Sequence, residues 1–262
     1  MARIALVLEY DGRAFHGWQR QRDLPSVQAT LEDALSGIAD HPVILHCAGR
    51  TDAGVHANAQ VAHFDTDAQR PMTAWVRGVN ALLPETVAIR AAIAVPETFH
   101  ARYSACRRRY RYLLLNRPQR PGLWSGRAGW LHAPLDLAAM REAAACLVGE
   151  HDFSAFRAAG CQAKTPVRLM TEVAVCQSGA WFMFDFEANG FLHHMVRNLV
   201  GSLVCVGKGA WSPAHFRAVF AGCRRCRAAP TFAPHGLYFR GARYDPVFGI
   251  PEMPESPDFP FA

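Results

Sequence analysis

One acid stands alone in the stretch CAGRTDAGVHANAQ, residues 47–60: Asp52, two residues after Arg50, with Gly49 and Gly54 on either side. Three chemistries suit a carboxylate in this setting. Beside glycines, Asp serves as a turn or helix N-cap residue, because its side chain hydrogen-bonds nearby backbone. It serves as a metal ligand where imidazoles or further carboxylates converge. His46, His56 and His63 are candidates, but the nearest other acids are Asp40 and Asp65, and neither a His-x₃-His pair nor an acid cluster completes a set. It serves as a covalent nucleophile where a cation keeps it ionised beside an electrophilic carbon, and Arg50 is at hand. The last role needs no second carboxylate, which is what this loop offers.

The elements that must carry the loop follow from periodicity. Ile4–Tyr10 reads as a strand stopped by the turn pair Asp11-Gly12. Ser26 caps a helix with apolar positions Val27, Leu31, Ala34, Leu35 and Ile38. Val43–Cys47 and Ala59–Asp65 read as strands on either side of the loop, which is longer than a hairpin turn requires. Met72–Leu83 reads as a helix closed by Pro84, and Val87–Val95 as a strand. The order is β-α-β-β-α-β. It recurs in Arg109–Asn116, Leu135–Val148, Met170–Gln177, Trp181–Glu187, Phe191–Val206 and Leu237–Arg243, with an additional helix capped by Ser212-Pro213 and ended by Gly222. The expected fold is α+β: two ferredoxin-like halves with antiparallel sheets and a cleft between them. The expected divisions are 1–105, carrying the Asp52 loop, 106–248, and a Pro-rich acidic tail, 249–262.

At 262 residues, half of them apolar, the chain can bury a substantial core, and no run approaches the ~20 apolar residues of a membrane helix. Most of the eight cysteines lie in apolar segments, as buried thiols do in a reducing cytosol, and the close pair Cys223/Cys226 lacks the second pair a zinc site needs. Charge is segregated: residues 98–135 and 188–244 each hold eight basic residues and no acid. Such windows suit a polyanion, most often nucleic acid, and 26 of the 28 basic residues are Arg, which binds phosphate in bidentate fashion and stacks on bases.

The motif CAGRTDAGVHA resembles the signature of the TruA-type tRNA pseudouridine synthases. The resemblance extends through EYDGRAFHGWQRQ (9–21), SVQATLEDAL (26–35), NALLP (80–84), FHARYSACRRRYRY (99–112), GEHDFSAFR (149–157), FLHHMVRNLVGSLVCVGKG (191–209) and GLYF (236–239), in order and spacing, and covers nearly the whole chain. It implies isomerisation of uridine to pseudouridine at positions 38 to 40 of the tRNA anticodon arm by a cytoplasmic homodimer that uses no cofactor and no metal. It carries the nucleophile onto Asp52, the ring that packs on the target base onto Tyr110, and the cation paired with the nucleophile onto Arg197. It carries displacement of the base onto Arg50 and an apolar pocket wall onto Leu237. Two departures stand out: Arg107 where a small residue is expected, and His235 where an acid or small residue usually precedes Gly-Leu.

Physics supports these roles without forcing them. A base in a stem must be flipped out, at a cost an aromatic face recovers by stacking, roughly 1–3 kcal/mol. The alternation R-Y-R-Y at 109–112 fits either a stacking Tyr110 or a plain strand aromatic. Arg197 lies at the edge of the apolar stripe Leu192, Val196, Leu199 and Leu203, beside His193. His193 and His194 read as structural. GWQRQ (17–21) reads as an RNA-lining segment or a packed corner. Arg102, Arg107, Arg108, Arg109 and Arg111 are expected on tRNA phosphates. A non-catalytic RNA-binding module and a metal-dependent RNA hydrolase are the competing functions.

Overall fold

The computed structural model describes residues 1–251; most of the expected tail, 252–262, lies outside the described residues. The chain is mixed α+β with mostly antiparallel strands, and it divides into two compact units, Met1–Arg108 together with the segment from Tyr238, and Arg109–Leu237.

In the first unit β1 (Ala2–Tyr10), β2 (His46–Cys47), β3 (His56–Thr66) and β4 (Val87–Val95) run in the order β4-β1-β3, with β2 paired on β3. All four are antiparallel neighbours. Ile4–Leu8 is buried on both faces, which is why this strand reads as a continuous apolar run rather than an alternating one. Helix α1 (Val27–Ala39) begins where the Ser26 hydroxyl accepts from the Ala29 N–H, and Val27, Leu31 and Leu35 are fully buried. A helical segment over 72–80, with a π turn at Ala74–Gly78, packs Trp75 edge-on to Phe64 (5.2 Å).

The strand expected at 43–47 shrinks to two residues. The reason is a buried polar network: Glu32 of α1 accepts from the Leu45 N–H (2.9 Å) and from the Gln28 amide (2.8 Å), while Gln28 accepts from the Arg20 N–H (3.0 Å). A side chain thus takes the hydrogen bond that a neighbouring strand would otherwise take.

His63 on β3 is buried, with the rings of His46 and His100 at 5.2 and 4.6 Å and its Nδ1 accepting from the Ala101 N–H. Burial, then the charges of His100, Arg3 and His46, lower its pKa to about 4. The unfolded chain takes up a proton near pH ~6.5 that the folded chain refuses until pH falls much further, so stability declines as pH drops through this window. Denaturant unfolding should show the protein losing about 1–2 kcal/mol more than a His63→Gln variant between pH ~7.5 and ~5. Equal losses would place the titration elsewhere.

The second unit holds β5 (Arg107–Asn116, from Arg109 on), β6 (Gly129–Leu131), β7 (Gly149–Asp152), β8 (Val167–Ser178) and β9 (Trp181–Ala188), in the order β5-β9-β8-β7, with β6 paired on β5. It also holds α2 (Leu137–Ala144), α3 (Met195–Gly207) and α4 (Pro213–Ala221). The expected helix from Phe191 starts only at Met195, because His194 adopts a left-handed conformation (φ 59°) that helical backbone excludes.

Two pairings depart from the expected antiparallel sheets. β6 lies parallel to β5. The last strand, β10 (Leu237–Arg243), pairs in parallel with β3 through Tyr238–His56 and Phe239–Ala57, and the chain from Tyr238 on belongs to the first unit. Among the described residues no helix is long and apolar enough to cross a membrane.

Candidate active site

The loop between β2 and β3 is held in place along its length. Ala48 N–H donates to the Val61 carbonyl (2.8 Å) and Val55 N–H to the Asp52 carbonyl (3.1 Å), the latter closing a tight turn in which Gly54 takes φ 77°. Buried Gln60 of β3 donates to the Gly49 carbonyl at 2.7 Å. Thr51, also buried, sits with its hydroxyl 2.7 Å from that of Tyr10, and its carbonyl accepts from the Trp18 N–H (3.0 Å). Burial raises the Tyr10 phenol pKa, so the group stays protonated.

The segment after β1 is pressed onto the same loop. A Cβ on Gly12 would lie 2.1 Å from the Val55 carbonyl oxygen, and one on Gly17, whose φ is 94°, 2.7 Å from the Thr51 carbonyl oxygen. The stretch GWQRQ packs at its start, where Trp18 is buried, and turns outward after it, with Arg20 exposed and paired to Glu32 and Asp33. Within this frame Asp52 is half-buried and Arg50 is exposed. The Cys47 thiol is pushed up to about 12 by burial, against the pull of the Arg50 charge.

Two of the histidines weighed as partners of Asp52 in a metal site, His56 and His63, have structural work. His56 Nδ1 accepts from the Gly12 N–H (3.1 Å) while its ring stacks on Tyr238 (4.7 Å), and His63 Nδ1 accepts from Ala101. An Nδ1 that accepts a backbone proton is not available to coordinate a cation.

In the second unit, β5 resolves the R-Y-R-Y alternation. Arg109 and Arg111 point toward β9, at 3.2 Å from Glu187 and in a bidentate pair with Asp185 (2.6 and 3.0 Å). Tyr110 and Tyr112 take the other face: Tyr110, half-buried, meets Phe191 edge-on at 4.9 Å, and Tyr112, fully buried, donates to the Ala233 carbonyl. Arg109 and Arg111 thus both face acids that β9 places at matching alternate positions. Arg108 is likewise turned inward, onto the carbonyls of Ala48, Arg102 and Ala105.

Arg197 sits on the first turn of α3. Its Nε donates to the Phe232 carbonyl (2.8 Å) while the Phe232 N–H donates back to the Arg197 carbonyl. The segment 229–232 is fastened along the helix by further bonds, Thr231 to Asn198 (2.7 Å) and the Ala229 N–H to Ser202. Gly201 admits this approach, since a Cβ there would meet the Pro230 carbonyl at 2.5 Å. Leu237 is buried at the start of β10, just after Gly236, where a Cβ would strike the Tyr112 ring.

Comparison with known proteins extends this picture. A family model described as tRNA pseudouridine synthase matches residues 6–104 and 143–245. A protein of Dechloromonas aromatica (strain RCB) named tRNA pseudouridine synthase A is 62% identical over 250 residues, covering 95% of both chains. Proteins of the same name from Aromatoleum aromaticum and Nitrosomonas eutropha are 58% and 52% identical, each over 249 residues, 95% of this chain and 94% and 90% of theirs.

Proposed function

The chain belongs to the tRNA pseudouridine synthase family, a family of isomerases that act on uridine in tRNA, and from that premise we propose that it converts uridine to pseudouridine at positions 38, 39 and 40 of the anticodon arm with Asp52 as the covalent nucleophile. The observation that carries the reading is the Asp52 loop itself. A single carboxylate is presented, half-buried, from a backbone held just before it by hydrogen bonds at Gly49 and Thr51, with an exposed arginine two residues before it.

The reaction breaks the bond from C1′ to N1, turns the uracil, joins C1′ to C5, and exchanges the C5 hydrogen for one on N1. No redox partner and no phosphoryl donor enters this balance, so the protein's task is to extract the base, hold it, and supply one nucleophile. In this reading Asp52 bonds transiently to the uridine and Arg197, its side chain pinned by Phe232, supplies the cation that favours the ionised carboxylate. Tyr110 offers a ring face to the flipped base and Leu237 an apolar wall. Arg50, exposed on the loop, takes the position the base leaves. The reading includes a cytoplasmic homodimer and a ferredoxin-like plan for each half, for which the β4-β1-β3-β2 order of the first unit is support.

The test is tRNA carrying tritium at uridine C5, incubated with excess chelator. We expect tritium release with intact RNA, and transcripts with uridine at only one of positions 38, 39 or 40 should each release label. Retained label on intact RNA would sink the isomerase, and cleaved RNA would point to a hydrolase.

A further inference from the structure

The Asp52 loop rests on buried polar groups that carry no charge and do not themselves reach solvent. Tyr10, at the end of β1, and Gln60, within β3, are both buried. The Gln60 amide donates to the Gly49 carbonyl (2.7 Å) and lies 3.5 Å from the Tyr10 oxygen, whose hydroxyl is 2.7 Å from that of Thr51. Gly49 and Thr51 bracket Arg50, and Thr51 adjoins Asp52. The link is therefore fixed to the two strands at one end and to the backbone of the proposed reactive pair at the other.

A core fold of this kind does not require such a link. A phenylalanine at position 10 and a valine at 51 would fill the same volume, and a buried polar group is retained at a cost unless its partner is present. What the pair provides is a fixed distance from the end of β1 to Thr51, over a loop that two-residue β2 constrains on only one side. Nearby, the Trp18 N–H holds the Thr51 carbonyl at 3.0 Å, so side chain and backbone of this one residue are anchored in different directions.

We propose that Tyr10, Thr51 and Gln60 are positioning residues for the reaction, a buried hydrogen-bonded link that sets where the Arg50–Asp52 backbone stands relative to the sheet. The inference rests on the reading of Asp52 as the reacting carboxylate. Tyr10→Phe and Thr51→Val should each lower single-turnover kcat by about 10- to 100-fold, because small misplacements of a reacting group are costly, while tRNA Kd stays within about twofold. Thr51→Ser keeps the hydroxyl and should stay within about threefold of the parent in kcat.

The double variant Tyr10→Phe/Thr51→Val separates positioning from plain stability. Each single change orphans a buried hydroxyl, whereas the double change removes both partners, so its melting temperature should recover toward that of the parent. Its kcat should stay at the level of the singles, because the link is gone. Recovery of kcat together with melting temperature would overturn the proposal, as would single variants that keep kcat within twofold or lose tRNA affinity instead. Asp52→Asn in the same assay keeps the two readings apart. An inactive Asp52→Asn beside fully active Tyr10→Phe overturns the positioning link alone, and an active Asp52→Asn overturns the nucleophile and the link with it.

Discussion

Asp52→Ala and Asp52→Asn should abolish turnover while leaving tRNA affinity within about tenfold of the parent, because chemistry and phosphate contacts are separate free-energy terms. A covalent route without its nucleophile has no partial substitute. The loop holds no second carboxylate, and Arg50 cannot attack carbon as a guanidinium. A loss of at least about 10⁴-fold is expected, comparable to deletion of a nucleophile in other covalent enzymes. Affinity moves little for the opposite reason. A carboxylate facing a polyanion repels it, so its neutral replacement removes a small penalty rather than a contact.

The asparagine variant is the more telling of the two. It preserves shape and hydrogen-bonding capacity, so an Asp52 that merely caps a turn would tolerate it, whereas a nucleophile would not. Tritium release from C5-labelled tRNA and filter-binding affinity, measured on the same preparations, decide the matter. Turnover near that of the parent in Asp52→Asn would remove Asp52 from the chemistry and return it to the role of a turn residue. A parallel loss of affinity and turnover would instead mean that the loop has come apart, and the melting temperature would show it.

Much of the scaffold is legible in the residues because its signals are local. Ser26 and Ser212 each cap a helix through their own side chains, and the apolar stripe of α1 becomes its buried face. What is not legible depends on partners distant in the chain. β2 is short because Glu32 claims the Leu45 N–H, and no pattern within residues 43–47 records that. β10 lies parallel to β3, a pairing between segments some 180 residues apart that neither strand's alternation specifies.

The site divides the same way. Asp52 stands out as a lone acid among glycines. Thr51, Tyr10 and Gln60 look like ordinary loop and strand residues until the structure shows them touching. The arginines of R-Y-R-Y read as a phosphate surface from composition alone. Their ion pairs were nonetheless written in the sequence, since Asp185 and Glu187 alternate on β9 at the same period of two as Arg109 and Arg111 on β5.

The glycines of DGRAFHGW give the second large effect. Gly12→Ala should unfold or deactivate the protein, because the new Cβ would lie 2.1 Å from the Val55 carbonyl oxygen and no rotamer can move a Cβ. The backbone of the corner and that of the Asp52 loop must then separate, at a cost of about 1–3 kcal/mol or more. Gly17→Ala meets two objections at once: a φ of 94° and the Thr51 carbonyl at 2.7 Å. Backbone strain of this kind costs about 1–3 kcal/mol, and its relief pushes on the residue next to Asp52. Turnover by Gly17→Ala should therefore fall by at least about 100-fold even at temperatures where the protein remains folded. Gly37→Ala is the internal control. It lies exposed in the last turns of α1, where a Cβ would meet only the Leu82 side chain at 3.4 Å, so the change should stabilise the helix by about 0.5–1 kcal/mol and leave turnover alone. Melting curves and tritium release on the three variants test the set. Gly12→Ala and Gly17→Ala with parental values of both would mean that the corner does not bear on the loop. In that case the rigidity of Asp52 would have to come from Thr51 and Gln60 alone.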